Sequence, residues 1–254
     1  MKNISIGDIH GSNKWKLLLF GTITPTLDEI DKTINQFDKI IFIGDYVDSF
    51  DKDNTAIIDN LLEIIDLKKK YKDKVVLLWG NHDVYYYTLN YKRDNVSGIR
   101  PEIVHELNQI FRSNYNLFQF AYQYKNYIWT HAGIHKGWWI HYVLPKISGK
   151  KNSRFQSHLE GGETIADILN LMWQFEDDAL FMVSPRRIKN GWGERVGSPL
   201  WADKTEIYKK PLQINQVLGH TKQECIKTYT RYNNQIHFID ALNTDDKLLT
   251  LQIL

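Results

Sequence analysis

The sequence predicts an α/β fold, and three observations carry that expectation. Short apolar runs rich in β-branched and aromatic residues recur along the chain, too short for helices and right for buried strands. Segments with apolar residues at helical spacing lie between them. Each apolar run stops at a glycine or histidine beside a metal-type side chain, so the strands present their chemistry from one edge, where ligands of α/β sheets bind.

In chain order, Ile4-Ser5-Ile6 runs into Gly7-Asp8, and Ile40-Ile41-Phe42-Ile43 into Gly44-Asp45. Val75 to Trp79 runs into Gly80-Asn81, Tyr127 to Thr130 into His131, and Val217-Leu218 into Gly219-His220. After Pro25-Thr26, the recurrence of Leu27, Ile30, Ile34 and Phe37 predicts a helix, as does that of Ile57, Ile58, Leu61, Leu62 and Ile65. A third amphipathic helix is expected from Thr164 to Phe175. Three segments near the end, Cys225 to Thr230, Gln235 to Asp240 and Leu248 to Ile253, read as an antiparallel meander with turns at Tyr232-Asn233-Asn234 and Thr244-Asp245-Asp246. The least regular stretch, about 135–211, reads as an insertion within a single domain spanning 1–254.

Composition narrows the function classes. A chain of 254 residues with 43% hydrophobic and 24% charged side chains buries a large core and is not disordered. A net charge of +2 gives no electrostatic reason to bind nucleic acid. The single Cys225 excludes an intramolecular disulfide and a cysteine-based zinc cluster, and points to a reducing compartment. No apolar run approaches the ~20 residues that span a bilayer. Met1-Lys2-Asn3 leads directly into a strand with no room for a signal peptide, so a cytoplasmic location is expected.

The strand ends hold the chemistry. Gly7-Asp8-Ile9-His10-Gly11 sets a carboxylate and an imidazole on one turn, able to face one ion. Gly44-Asp45-Tyr46-Val47-Asp48 adds two carboxylates, and Gly80-Asn81-His82-Asp83 an amide, an imidazole and a carboxylate. Thr130-His131-Ala132-Gly133 and Gly219-His220-Thr221 add two imidazoles. Together these groups suffice for two ions sharing a carboxylate. Mixed nitrogen and oxygen donors suit Mn, Fe, Zn or Ni better than Ca or Mg.

These five blocks, in this order, resemble the calcineurin-like metallophosphoesterases, within them the branch of phosphoprotein phosphatases and symmetrical diadenosine tetraphosphatases. The resemblance runs from Ile4 to about Asp240 and matches poorly from His135 to Ile188. It implies a metallophosphoesterase-type β-sandwich of two mixed sheets flanked by helices. It implies a first metal ion on Asp8, His10 and Asp45, and a second on Asp45, Asn81, His131 and His220, with Asp45 bridging and manganese favoured. By the same resemblance His82 protonates the departing oxygen and Asp48 orients it, while a hydroxide held between the ions attacks phosphorus.

Two departures bear on substrate. The phosphatases follow the second block's Asp with Arg-Gly, whereas this chain has Ser49-Phe50, and the third block closes with Asp83 where they have Glu. A hydroxyl at Ser49 donates one hydrogen bond but brings no charge, so Arg186, Arg187 or Arg195, upstream of Pro199-Leu200-Trp201, is expected to meet the phosphate. The leading expectation is a phosphomonoesterase acting on a phosphorylated protein or small molecule. A phosphoanhydride or phosphodiester hydrolase of dinucleoside polyphosphates, RNA caps or cyclic nucleotides is the enzymatic alternative, and a phosphate-binding scaffold the non-enzymatic one. His105, His135, His141, His158 and His237 read as surface or core histidines, with His135 and His141 nearest in sequence to the fourth block. Trp138, Trp139 and Trp192 read as packing residues, with base stacking as the functional alternative.

Overall fold

The computed structural model describes residues 1–89, 96–149, 155–187 and 196–253. Its strands are β1 (Lys2–Ile6), β2 (Lys39–Phe42), β3 (Val75–Leu78), β4 (Phe118–Gln119), β5 (Ala121–Tyr124), β6 (Tyr127–Thr130), β7 (Asn215–Leu218), β8 (Lys227–Arg231), β9 (Asn234–Phe238) and β10 (Leu249–Gln252). The helices are α1 (Lys14–Phe20), α2 (Leu27–Ile34), α3 (Asn54–Tyr71), α4 (Asn81–Thr88), α5 (Val104–Ser113), α6 (Lys136–Trp138), α7 (Leu144–Ile147), α8 (Ile165–Gln174) and α9 (Lys204–Lys209). They form two compact units, one of Met1–Gln119, Lys222–Lys227 and Ile239–Leu254, the other of Phe120–Thr221 and Thr228–Phe238.

The first unit holds a mixed sheet in the order β10-β1-β2-β3-β4. Its strands β1 to β4 run parallel and β10 antiparallel to β1, so the tips of β1, β2 and β3 share one edge. Strands β1, β2 and β3 are buried on both faces, which is why they read as continuous apolar runs. Helix α2 starts where expected because Thr26 and Glu29 form a reciprocal capping box. Helix α3 starts on the Asp53 carboxylate, ends in Lys68, Lys69 and Lys70, and buries Ile57, Leu61, Ile64 and Ile65. The β3 tip is seated by an aromatic cluster, with the Trp79 ring 4.7 Å from Phe118 and 5.6 Å from Phe111.

The second unit holds a sheet in the order β5-β6-β7-β9-β8. Strands β6, β7 and β9 are parallel, and β5 is antiparallel to β6. Ala132, Ala202, Ile207, Leu218, Ile236 and Phe238 form one buried cluster behind the β6 and β7 tips. The expected helix near 164–175 is α8, started by a Thr164–Asp167 capping box. The stretch near 135–211 is more regular than the sequence suggests, since α6 continues through a π-type turn, Trp139–Val143, into α7.

Two mixed sheets with helices meet the expected α/β architecture, with one correction. The three closing strands are not one meander, because β8 and β9 are neighbours in the second sheet while β10 pairs with β1 in the first. Leu249, Leu251 and Ile253 alternate as in any half-buried strand, and alternation does not name a partner. Among the described residues no helix is long and apolar enough to cross a membrane.

Candidate metal centre

Three loops leave the edge of the first sheet, from β1, β2 and β3. The N–H groups of Ile9 and His10 both donate to the Asp45 carbonyl, at 3.1 and 2.8 Å, so the first loop lies on the second. The second and third touch at their glycines. A Cβ on Gly44 would stand 2.5 Å from the Gly80 nitrogen, and one on Gly80 would stand 2.2 Å from the Asp45 nitrogen. His10, Asp45 and Asp48 all adopt positive φ, at 46°, 50° and 61°, a conformation side chains avoid unless the surroundings impose it.

Asp83 supplies much of that imposition. Its Oδ2 accepts from the N–H of Asp45 at 2.8 Å and of Gly80 at 2.9 Å, and its Oδ1 from the N–H of Tyr46 at 2.9 Å. One buried carboxylate thereby fastens two ligand loops through charge-assisted bonds. The Gly80 bond also caps the start of α4, the Asp83 carboxylate at the third helical position accepting from the N-cap N–H, with no reciprocal bond because glycine has no side chain.

Within this frame Asp8, His10 and Asp45 offer ligand atoms that all lie within 4.8 Å of one another. The two carboxylates are buried. The Nδ1 of His10 faces the carbonyls of Val47 at 3.1 Å and Asp48 at 2.9 Å. Carbonyls only accept, so Nδ1 carries the hydrogen and Nε2 presents its lone pair, the tautomer a metal requires. That Nε2 lies 3.9 Å from Asp45 Oδ2. Two carboxylates and a correctly oriented imidazole fit a divalent transition metal.

His82 stands beside this cluster. Its backbone N–H donates to Asp45 Oδ1 at 3.0 Å, and its Nε2 lies 3.9 Å from Asp45 Oδ2. Its Nδ1 is 2.7 Å from Asp48 Oδ2. The remaining Asp48 oxygen accepts from the hydroxyl of Tyr86, whose oxygen in turn accepts from the Arg100 N–H at 2.8 Å. Burial, then the charge of Asp48, holds the Tyr86 phenol well above its usual pKa, so it stays a donor. Neither Tyr86 nor Arg100 belongs to any readable motif, and sequence reasoning missed both.

In the second unit, His131 follows β6 and His220 follows β7. Nε2 of His131 lies 3.1 Å from Nδ1 of His220. Two imidazole nitrogens bound to one ion at ~2.0–2.1 Å each stand about 3 Å apart, so this spacing fits a shared metal. The Gly219 N–H donates to the His131 carbonyl at 2.8 Å, and His220 has a φ of 64°.

The other expected residues divide plainly. Ser49 is buried and donates its hydroxyl proton to Asp51 at 2.8 Å. Arg186 is exposed in a short 3-10 turn, Pro185–Arg187, while Arg195 and Trp192 lie outside the described residues. Trp138 is fully buried and donates to the Ala179 carbonyl at 3.1 Å, which makes it a packing residue. His135 accepts from the Gly137 N–H at 3.0 Å, and burial pushes its imidazole down. His237 is buried, lies 2.8 Å from the Thr228 hydroxyl, and is pushed down to about 4 by desolvation.

Comparison with known proteins bears on this arrangement. No curated protein matches the sequence significantly. Among solved structures, the chain is similar to a cold-active protein-tyrosine phosphatase of the psychrophile Shewanella sp., at 16% identity over 99% of this chain and 75% of that one, with a TM-score of 0.54. A second structure of a cold-active protein tyrosine phosphatase matches at 14% identity, 99% and 73% coverage and a TM-score of 0.54. A serine/threonine phosphatase from Saccharomyces cerevisiae matches at 13% identity, 99% and 79% coverage and a TM-score of 0.48. At such identities the likeness to the two tyrosine-phosphatase structures is one of fold. The model of the family described as calcineurin-like phosphoesterase matches residues 1–235, a span that takes in every strand tip described above, and to that family of metal-dependent phosphoester hydrolases the chain belongs.

Proposed function

We propose that this protein is a two-metal phosphatase that hydrolyses phosphomonoesters. The observation that carries the reading is the Asp8, His10 and Asp45 cluster, its two carboxylates buried, with His82 Nε2 3.9 Å from Asp45 Oδ2 and His82 Nδ1 2.7 Å from Asp48. In this reading Asp8, His10 and Asp45 hold one ion, and Asp45, Asn81, His131 and His220 the other. Manganese is the favoured metal. Bound there, the ions activate water and neutralise the phosphoryl oxygens.

The protein groups do the rest. Asp48 keeps the hydrogen of His82 on Nδ1 and stabilises the charged ring, which leaves the Nε2 proton to pass to the departing alkoxide. With both Asp48 oxygens occupied, the ring has one orientation. The phosphate's remaining charge falls to Arg186, Arg187 or Arg195. The exposed Cys225 suits a reducing compartment such as the cytoplasm.

One observation favours a second reading. Ser49 brings no charge and commits its proton to Asp51, so the site lacks the guanidinium that grips a monoester dianion from this position. Phosphoanhydrides and diesters, such as dinucleoside polyphosphates, carry less charge on the attacked phosphorus and need that grip less. Purified protein with Mn²⁺ is tested against an aryl phosphate, a phosphopeptide, a dinucleoside tetraphosphate and a cyclic nucleotide, with products resolved. Release of inorganic phosphate from the first two supports the monoesterase, and turnover of only the last two replaces it with the second reading. Metal-saturated protein that binds phosphate and turns over none would make it a scaffold.

A further inference from the structure

Two hydrogen bonds reach the Asp48 carboxylate, from His82 and from Tyr86, and the second is aimed by Arg100; neither Tyr86 nor Arg100 lies in any motif. The Arg100 backbone N–H donates to the Tyr86 oxygen at 2.8 Å, which occupies that oxygen as an acceptor and aims its single proton away. The proton goes to Asp48 Oδ1, and Asp48 Oδ2 faces His82 Nδ1 at 2.7 Å. The segment bearing Arg100 is itself held in place, because its guanidinium donates to the carbonyls of Ser49 and Lys52 and to Asn54 Oδ1 at 3.4 Å. Residues 49–54 follow Asp48 directly, so one arginine ties down the loop on one side of the carboxylate and aims the hydroxyl that meets it on the other.

We propose that Tyr86 is a positioning residue for the proton donor: its hydroxyl, aimed by the Arg100 N–H, fixes the rotation of the Asp48 carboxylate and through it the direction of His82 Nε2. The inference rests on the reading of His82 as general acid. A carboxylate bonded through one oxygen only can swing about its Cβ–Cγ bond, and the imidazole follows it. Proton transfer depends on that angle, whereas His10 and Asp45 are held by other bonds.

The test compares wild type, Tyr86→Phe, His82→Asn and the double variant in Mn²⁺, on p-nitrophenyl phosphate and on glycerol 2-phosphate, whose alkoxide needs a proton. The readout is the ratio of the two kcat/KM values on one protein sample, which does not depend on how much of the sample is folded. Tyr86→Phe should lower the alkyl-to-aryl ratio roughly tenfold, the worth of one hydrogen bond to a charged group, with metal content unchanged. In the His82→Asn background the same change should have no further effect on the ratio. Equal losses on both substrates, or a further fall in the double variant, would overturn the inference. An unchanged ratio in His82→Asn would overturn the general-acid reading and the inference with it. A lowered ratio there beside an unchanged one in Tyr86→Phe would overturn the inference alone.

Discussion

The strand tips of the two sheets hold metal-type side chains by different means. In the first unit the loops are laced to each other, by the Asp45 carbonyl accepting from Ile9 and His10 and by the Asp83 carboxylate accepting from Asp45, Tyr46 and Gly80. In the second unit two imidazoles face each other with nitrogens 3.1 Å apart. At that spacing the rings meet at hydrogen-bonding distance, one nitrogen donating and the other accepting according to the tautomer. The first set is thus held by several backbone and carboxylate bonds, and the second meets through a single contact between rings.

That contrast can be broken at its shared element first. Asp45→Asn weakens the carboxylate assigned to both ions and should cost more than the ~10²–10⁴ of general-acid help alone, with both ions lost. Activity assays paired with metal analysis check this, and full metal occupancy in the variant would remove Asp45 as the bridge. His220→Ala should reduce bound metal from two ions per chain to one and leave the first unit's ion in place. Loss of both would show that the first set is not self-sufficient.

A stability experiment addresses the lacing. Asp83→Ala leaves the N–H groups of Asp45, Tyr46 and Gly80 without their acceptor and should destabilise chelated, metal-free protein by on the order of 3 kcal/mol in denaturant unfolding. The smallest effect concerns a histidine outside either set. His237 has a folded pKa of about 4 against ~6.5 in an unfolded chain, so the unfolded state takes up the proton first. Its contribution is intact above about pH 6.5 and is lost as pH falls toward 4. His237→Leu should flatten that part of the acid slope in chelated protein, and an unchanged slope would assign it to other groups.

Legibility in the sequence follows the range of the interactions. The strand tips could be read because an apolar run and a glycine or histidine are consecutive, and β1, β6 and β7 end where that pattern says, with β2 and β3 ending one residue earlier. Asp83 was visible as a carboxylate but not as a fastener, since two of its bonds reach the β2 loop, at Asp45 and Tyr46. Tyr86 and Arg100 carried no signal, because an ordinary tyrosine gains its role only from the loop folded against it. Strand β10 was recognised as a strand and given the wrong partners, since its own pattern does not say which sheet edge it joins.

The contact between Gly44 and Gly80 also constrains how the gene can change. Every single-base change in a glycine codon that replaces the glycine with another amino acid adds at least a Cβ. At these positions that atom would fall 2.5 Å from the Gly80 nitrogen or 2.2 Å from the Asp45 nitrogen, onto backbone that cannot rotate away. No one-step path leads out of either glycine without prising the ligand loops apart. Neighbouring positions such as Phe50, which is exposed, carry no such lock. The packing of the loops that carry Asp45 and Asn81 thus depends on two positions that tolerate no side chain at all.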